Sequence, residues 1–151
     1  MTIEYNYSGI DILIIAIVAI VFLILVYFGI RRLRQLFKRP DLYGMDKEEI
    51  KKRWTGLKSL LDKNSEIQYK MAVMEADKLL DQVLKSLNYP GSSLGQRLKF
   101  ACHKNPKLKN VWPAHFIRNK LVHETDYRLS YGSAKRALEV FEAGLKELGV
   151  L

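Results

Sequence analysis

The sequence predicts an all-α protein with a single N-terminal transmembrane helix followed by a four- to five-helix up-and-down bundle. Three observations predict this fold class. Residues 12–30 carry no charge, residues 46–149 repeat apolar side chains at helical spacing, and no stretch alternates apolar and polar side chains as a strand would. A chain of 151 residues is long enough for one such bundle and an appended segment.

The first predicted element is a transmembrane helix over residues 10–30. The uncharged run ILIIAIVAIVFLILVYFGI would form a helix of roughly 28 Å, close to the thickness of the hydrocarbon layer of a bilayer. A buried core helix of this length would carry polar side chains. A cleaved signal peptide would begin with positive charge, whereas Glu4 is acidic. We therefore expect the segment to span a membrane.

A basic segment follows the predicted span and sets its orientation. Five of the nine residues 31–39 are Lys or Arg, and such residues stay on the cytoplasmic side. We expect residues 1–9 outside the cell inner membrane and the rest of the chain in the cytoplasm. Residues 31–45 are predicted as a juxtamembrane segment and linker, in which 31–39 also contact anionic lipid.

The bundle is predicted over residues 46–151. Its helices are expected to begin near Asp46, Ser65, Ser93, Asn110 and Tyr131. Asp46 with Glu49 resembles a capping box, and Ser65 is a candidate N-cap. YPGSS and the Asn105-Pro106 pair are typical of loops, whereas Pro113 suits the first turn of the fourth helix. TDYRLS is expected to form the last loop.

Positive charge is concentrated in the bundle. All 25 basic residues and 14 of the 16 acidic ones lie in 31–151, so this part carries 25 − 14 = +11. Residues 82–123 contain no acid and eight bases. A solvated helix surface is one explanation, and a polyanion such as RNA is the other. For the second, the candidate RNA-binding residues are Arg97, Lys99, Lys104, Lys107, Lys109 and Lys120.

The segment RNKLVHE, at the end of this basic run, contains residue types that can cleave RNA. Arg118 could hold phosphate oxygens, His123 could act as a general acid or base, and Asn119 could position either. On a regular helix Arg118 and His123 lie about 140° apart. They would converge only at a loosened helix end or between two subunits.

Arg118, Asn119 and His123 late in a helical bundle resemble the motif of the HEPN superfamily. Residues 74–99 also resemble the long helix, turn and next helix that precede that motif, and the resemblance covers about 45–149. It implies a metal-independent RNA endonuclease or an RNA-binding domain, usually a homodimer whose two motifs face each other. Many members of the superfamily are not catalytic.

Other side chains are weaker candidates. Asp77 or Glu75 could pair with Arg118 and orient it, or form ordinary pairs on their own helix. His115 is expected on the helix surface or at an interface, and Trp112 in the core or at an interface. Cys102 is expected to be a small buried side chain. Motifs such as CxxC and HExxH are missing, so we predict neither a metal site nor a cofactor.

These observations leave two hypotheses of function. The first is a membrane-anchored protein whose cytoplasmic HEPN-like domain binds RNA and cleaves it without metal through Arg118, Asn119 and His123. The second is a non-catalytic, membrane-tethered module for dimerisation or protein docking, in which the same side chains form interface hydrogen bonds.

Overall fold

The computed structural model describes residues 9–36, 42 and 44–151, and within the first helix the side chains of 14–32. It divides the chain into one unit up to residue 39 and a second unit from residue 40. Most of the predicted extracytoplasmic segment, and residues 37–41 and 43 of the predicted linker, lie outside the described residues.

The first unit contains one helix, α1 (Gly9–Leu36). Its segment Ile14–Arg32 is long and apolar enough to cross a membrane by length and composition. The helix continues six residues beyond the predicted span, into the predicted basic juxtamembrane segment. Arg, Leu and Gln are good helix formers, and no proline interrupts RRLRQL, so nothing in this segment ends the helix at Ile30.

The second unit is a bundle of five α-helices. They are α2 (Lys47–Ser59), α3 (Glu66–Ser86), α4 (Leu94–Lys104), α5 (Trp112–His123) and α6 (Tyr131–Glu147). Two 3₁₀ segments, Leu61–Lys63 and Pro106–Val111, lie between them. The described residues contain no β-strand. The predicted all-α fold with an apolar N-terminal helix is therefore confirmed.

Side-chain caps explain several of the helix starts. Asp46 accepts a hydrogen bond from the backbone of Glu48, Ser93 from Gln96 and Ser130 from Ser133. Ser65 does occupy the N-cap position of α3, although its hydroxyl makes no capping bond. Leu42 and Met45 pack against the core, so contacts of the bundle begin before the predicted boundary at residue 46.

The segment after α4 differs from the predicted loop. Asn105 accepts a hydrogen bond from the backbone of Lys107, and Pro106 begins a 3₁₀ segment that runs to Val111. Leu108 and Val111 are buried, which ties this segment to the core. Two inward-facing apolar residues three positions apart match the three-residue turn of a 3₁₀ helix.

The core is centred on α3, which packs against α2, α4, α5 and α6. Its fully buried side chains include Val73, Leu79, Leu80 and Leu84, and Phe141 of α6 is also fully buried. The buried members of the core lie between Ile50 and Val150, and none of them comes from the described side chains of α1, residues 14–32. The bundle therefore has a complete core of its own.

Gly91, in the turn between α3 and α4, is expected to be intolerant of a side chain. Its φ is +143°, and a Cβ would lie 2.8 Å from Cβ of Gln96 and 2.9 Å from the nitrogen of Arg97. Gly91→Ala should lower the free energy of unfolding by about 1–3 kcal/mol in urea titrations. Gly132→Ala, in open space on α6, is the control and should be neutral or stabilising. Equal effects of both variants would contradict the strained turn.

Candidate functional site

A cleft of about 610 Å³ opens between α3, α5 and the first turn of α4. Gly95 lies at its wall, where an added Cβ would be 3.6 Å from Nε2 of His115. Two of the three predicted catalytic residues, Arg118 and Asn119, line this cleft. Its complete lining is Met74, Glu75, Asp77, Lys78, Asp81, Ser93, Leu94, Gly95, His115, Arg118 and Asn119.

Four of these side chains form a closed ring of polar contacts, called here the cleft ring. Oδ1 of Asp77 lies 2.7 Å from Nδ1 of His115, and Nε2 of His115 lies 3.3 Å from Nδ2 of Asn119. Oδ1 of Asn119 accepts a hydrogen bond of 3.0 Å from Nη1 of Arg118. An ion pair of 3.2 Å between Nε of Arg118 and Oδ2 of Asp77 completes the ring.

Helix periodicity accounts for the cleft ring. Asp77 follows the buried Ala76 on the inner side of α3 and is itself 3% exposed. A buried carboxylate is costly without partners, and α5 supplies two. His115 and Asn119 are four residues apart and therefore neighbours on one face of α5, while Arg118 lies one turn beyond His115. The carboxylate thus receives a histidine and an arginine from a single helix.

The cleft ring confirms one predicted contact and corrects another prediction. Asp77 does pair with Arg118, as one hypothesis proposed, whereas Glu75 pairs with Lys78 at 3.5 Å on its own helix. His115 is not the helix-surface residue expected, because it is 7% exposed and bonded to Asp77. The i,i+4 spacing of His115 and Asn119 was the available signal for their contact.

His123 lies apart from the cleft ring. It is the last residue of α5, its side chain is exposed, and it does not line the cleft. Helical hydrogen bonding continues to the end, since the backbone nitrogen of Glu124 donates to the carbonyl of Lys120 at 2.8 Å. The helix is thus not loosened, and the separation of about 140° between Arg118 and His123 persists within one chain.

The predicted RNA-binding residues divide into two groups. Arg97 is 8% exposed, and its guanidinium contacts Asp81 at 2.8 and 3.0 Å and donates to the carbonyl of Gly91. Hydrogen bonding to Asp81 raises the pKa of Arg97. Lys107 contacts Glu147 at 3.0 Å. Lys107 is nevertheless exposed, as are Lys99, Lys104, Lys109 and Lys120.

The acid-free run is therefore less positive in space than along the chain. Asp77 and Asp81 of α3 face Arg118 and Arg97, and Glu147 of α6 faces Lys107. Arg97 is buried and hydrogen-bonded to Gly91 in the turn before α4, so its charge is not exposed to solvent. The exposed positive charge consists mainly of lysines, two of which lie over the rings of tyrosines, Lys104 over Tyr89 and Lys120 over Tyr127.

An aromatic pair borders the cleft ring. Trp112 and Phe116 are one turn apart on α5, with ring centroids 5.7 Å apart. Trp112 is half-buried, as its predicted place in the core or at an interface implies, whereas Phe116 is 56% exposed. Sequence reasoning passed over Phe116. Its position three residues before Asn119 places both on the exposed side of α5.

Other reactive side chains do not form a second site. Cys102 is buried as expected, and burial raises the pKa of its thiol. Among the described residues, no group of three His, Cys, Asp or Glu side chains is arranged to hold a metal ion. The polar chemistry of the bundle is therefore concentrated in the cleft ring and at the end of α5.

Comparison with known proteins yields no relative of the chain. No family model matches it, no curated protein matches it, and no solved structure matches it. The resemblance to the HEPN superfamily thus depends on the spacing of Arg118, Asn119 and His123 and on the helices around them.

Proposed function

We propose that the chain is a membrane-anchored RNA-binding protein whose bundle cleaves RNA without metal. The observation that carries this proposal is the state of Arg118. Its guanidinium is anchored by Asp77 and Asn119, its side chain is 36% exposed and lines the cleft, and no contact of Nη2 is seen among the described residues. An arginine held in this way can donate hydrogen bonds to a phosphate without a further change of position.

The proposed reaction is attack of the ribose 2′-oxygen on the adjacent phosphorus. A base takes the 2′-hydroxyl proton, and an acid protonates the departing 5′-oxygen. Arg118 stabilises the charge that develops on the phosphate oxygens. His123, exposed at the end of α5, is the proposed acid or base, and Asn119 is the proposed positioning residue. Lys99, Lys104, Lys109 and Lys120 supply exposed charge for flanking phosphates.

Two copies of the chain are part of this proposal. Arg118 and His123 point away from each other on a regular helix, so one active site takes Arg118 from one copy and His123 from the other. Phe116 and Val122 are 56% and 48% exposed on sides of α5 about 120° apart, and we propose that one or both contact the second copy. A homodimer through the exposed face of α5 would bring the two motifs together.

The proposed activity would take place at the cytoplasmic surface of a membrane. Ile14–Arg32 could cross a bilayer by length and composition. With Lys and Arg clustered in 31–39, we propose that the N-terminus lies outside the cell inner membrane and the bundle in the cytoplasm. The same cluster would contact anionic lipid head groups.

The test is RNA cleavage in the presence of EDTA. The full chain in detergent micelles and the 40–151 fragment, which retains the whole core, are incubated with single-stranded RNA. Both should cleave, and His123→Ala should reduce the rate by about 10²–10⁴-fold while leaving RNA binding within a few-fold. His103→Ala is the matched control on an exposed histidine of α4 and should match the wild type. Equal rates for wild type and His123→Ala would exclude the proposed role of His123.

A non-catalytic docking module is the second candidate. It is favoured by the closure of the cleft ring, in which Asp77, His115 and Asn119 already bond one another without a ligand. In that case the exposed face of α5 contacts a protein, and the ring serves only to stabilise α5 against α3. Absence of cleavage and of RNA binding by wild type, together with concentration-dependent dimerisation, would support this second candidate.

A further inference from the structure

The contacts of the cleft ring determine which ring nitrogen of His115 donates a hydrogen bond and which accepts one. Asp77 as a carboxylate only accepts hydrogen bonds, so Nδ1 of His115 carries the hydrogen at the 2.7 Å contact. Arg118 only donates, so the oxygen of Asn119 faces Arg118 and its NH₂ group faces Nε2 at 3.3 Å, and Nε2 must accept.

The orientation of Asn119 in turn decides what Arg118 can do. With its oxygen towards Nη1, Asn119 accepts from the guanidinium at 3.0 Å. With the amide reversed, an NH₂ group would face Nη1, and two donors would oppose each other. Arg118 could not then keep both of its present contacts. The tautomer of His115 is therefore coupled to the position of a guanidinium that His115 does not touch.

We propose that His115 is a positioning residue for Arg118, acting through the amide of Asn119. The inference rests on the proposed function, since it names what holds the phosphate-binding group of that site. Two observations distinguish His115 from an ordinary buried histidine. Both of its ring nitrogens have polar partners, and the second partner, Asn119, contacts Arg118 at the cleft.

Two substitutions of His115 separate its two contacts. His115→Asn places an amide NH₂ near the position of Nδ1, so it can still donate to Asp77 but cannot reach Asn119. His115→Gln places an oxygen near the position of Nε2, so it can still accept from Asn119 while the contact with Asp77 is weakened. If His115 only stabilises the fold, RNA binding by the two variants should fall in proportion to their loss of stability. If His115 positions Arg118, RNA binding should be lost in the variant that lacks the contact with Asn119 and kept in the other.

The first measurement is the NMR signal of the Asn119 side-chain amide, recorded on the full chain in detergent micelles. A hydrogen bond to Nε2 shifts the signal of the bonded amide proton and slows its exchange with water. His115→Asn should shift these signals and speed the exchange, and His115→Gln should restore the wild-type behaviour. If His115→Asn leaves the Asn119 signals unchanged, the proposed coupling is overturned, whatever the protein does with RNA.

The second measurement is binding of a fluorescent single-stranded RNA oligonucleotide as a function of salt. His115→Asn should weaken binding on the order of 10-fold and reduce the slope of log K against log salt by about 0.7, the loss of one phosphate contact. His115→Gln should stay within about 2-fold of wild type. Equal weakening by both variants with an unchanged slope would overturn the positioning role. Failure of wild type to bind RNA, with the NMR coupling intact, would overturn only the proposed function.

Discussion

Asp77→Ala is expected to destabilise the bundle by about 3 kcal/mol, because it removes the carboxylate at the centre of the cleft ring. The side chain is 3% exposed and contacts His115 at 2.7 Å and Arg118 at 3.2 Å. Without it, buried His115 loses the acceptor for Nδ1 and Arg118 loses its counter-charge. Urea denaturation followed by circular dichroism measures the change.

Two variants sharpen this expectation. Asp77→Asn retains a hydrogen-bonding oxygen for His115 and should lose less stability than Asp77→Ala. Glu75→Ala, two residues away on α3, removes a half-buried carboxylate whose partner among the described residues is Lys78 and should change the unfolding free energy by about 0.5 kcal/mol or less. If Asp77→Ala were as stable as Glu75→Ala, the buried pair with His115 would not exist in solution.

Arg118→Ala is expected to act on RNA rather than on folding. Loss of the group that stabilises the phosphate charge should lower the cleavage rate by about 10²–10³-fold. The free energy of unfolding should fall by only about 1 kcal/mol, since Asp77 keeps its contact with His115 and the Arg118 side chain is already 36% exposed. Single-turnover cleavage with EDTA measures the first quantity, and urea titration the second.

The controls for Arg118 separate charge from geometry. Arg118→Lys keeps the charge but loses the planar group that can contact Asp77, Asn119 and phosphate together, so cleavage should stay at least 10-fold below wild type. Lys99→Ala removes an exposed charge of α4 and should weaken RNA binding only a few-fold without a specific loss of rate. A rate for Arg118→Ala equal to that for Lys99→Ala would rule out a dedicated phosphate contact.

The fold was largely predictable because its signals are local. The apolar run of α1, the periodic stretch of α3 and the capping residue Asp46 are each signals that lie within a single helix. One disagreement arose where the local signal was weak. The helix α1 extends to Leu36, into the predicted juxtamembrane segment, because nothing in RRLRQL ends a helix. Pro106 indicated a break but not that Leu108 and Val111 would be buried in a 3₁₀ turn.

The candidate site was only partly predictable, since it depends on how two helices meet. Asp77 and His115 are 38 residues apart, and no sequence pattern gives the register of α3 against α5. The same difficulty affected the charge estimate. A run of 42 residues without an acid looked uniformly basic, yet α3 brings Asp77 and Asp81 against two of its arginines. The net charge of a sequence segment therefore differs from the charge that the folded surface presents to a ligand.

The independence of the bundle core from α1 has a consequence for how the protein could be remodelled. Among the described side chains of α1, residues 14–32, none belongs to the buried core, so we expect that this segment can be changed without changing the core. A different apolar helix of similar length could replace α1 and carry the bundle to a membrane of another thickness or composition. The length and apolar composition of residues 14–32 would then determine which membrane the chain enters.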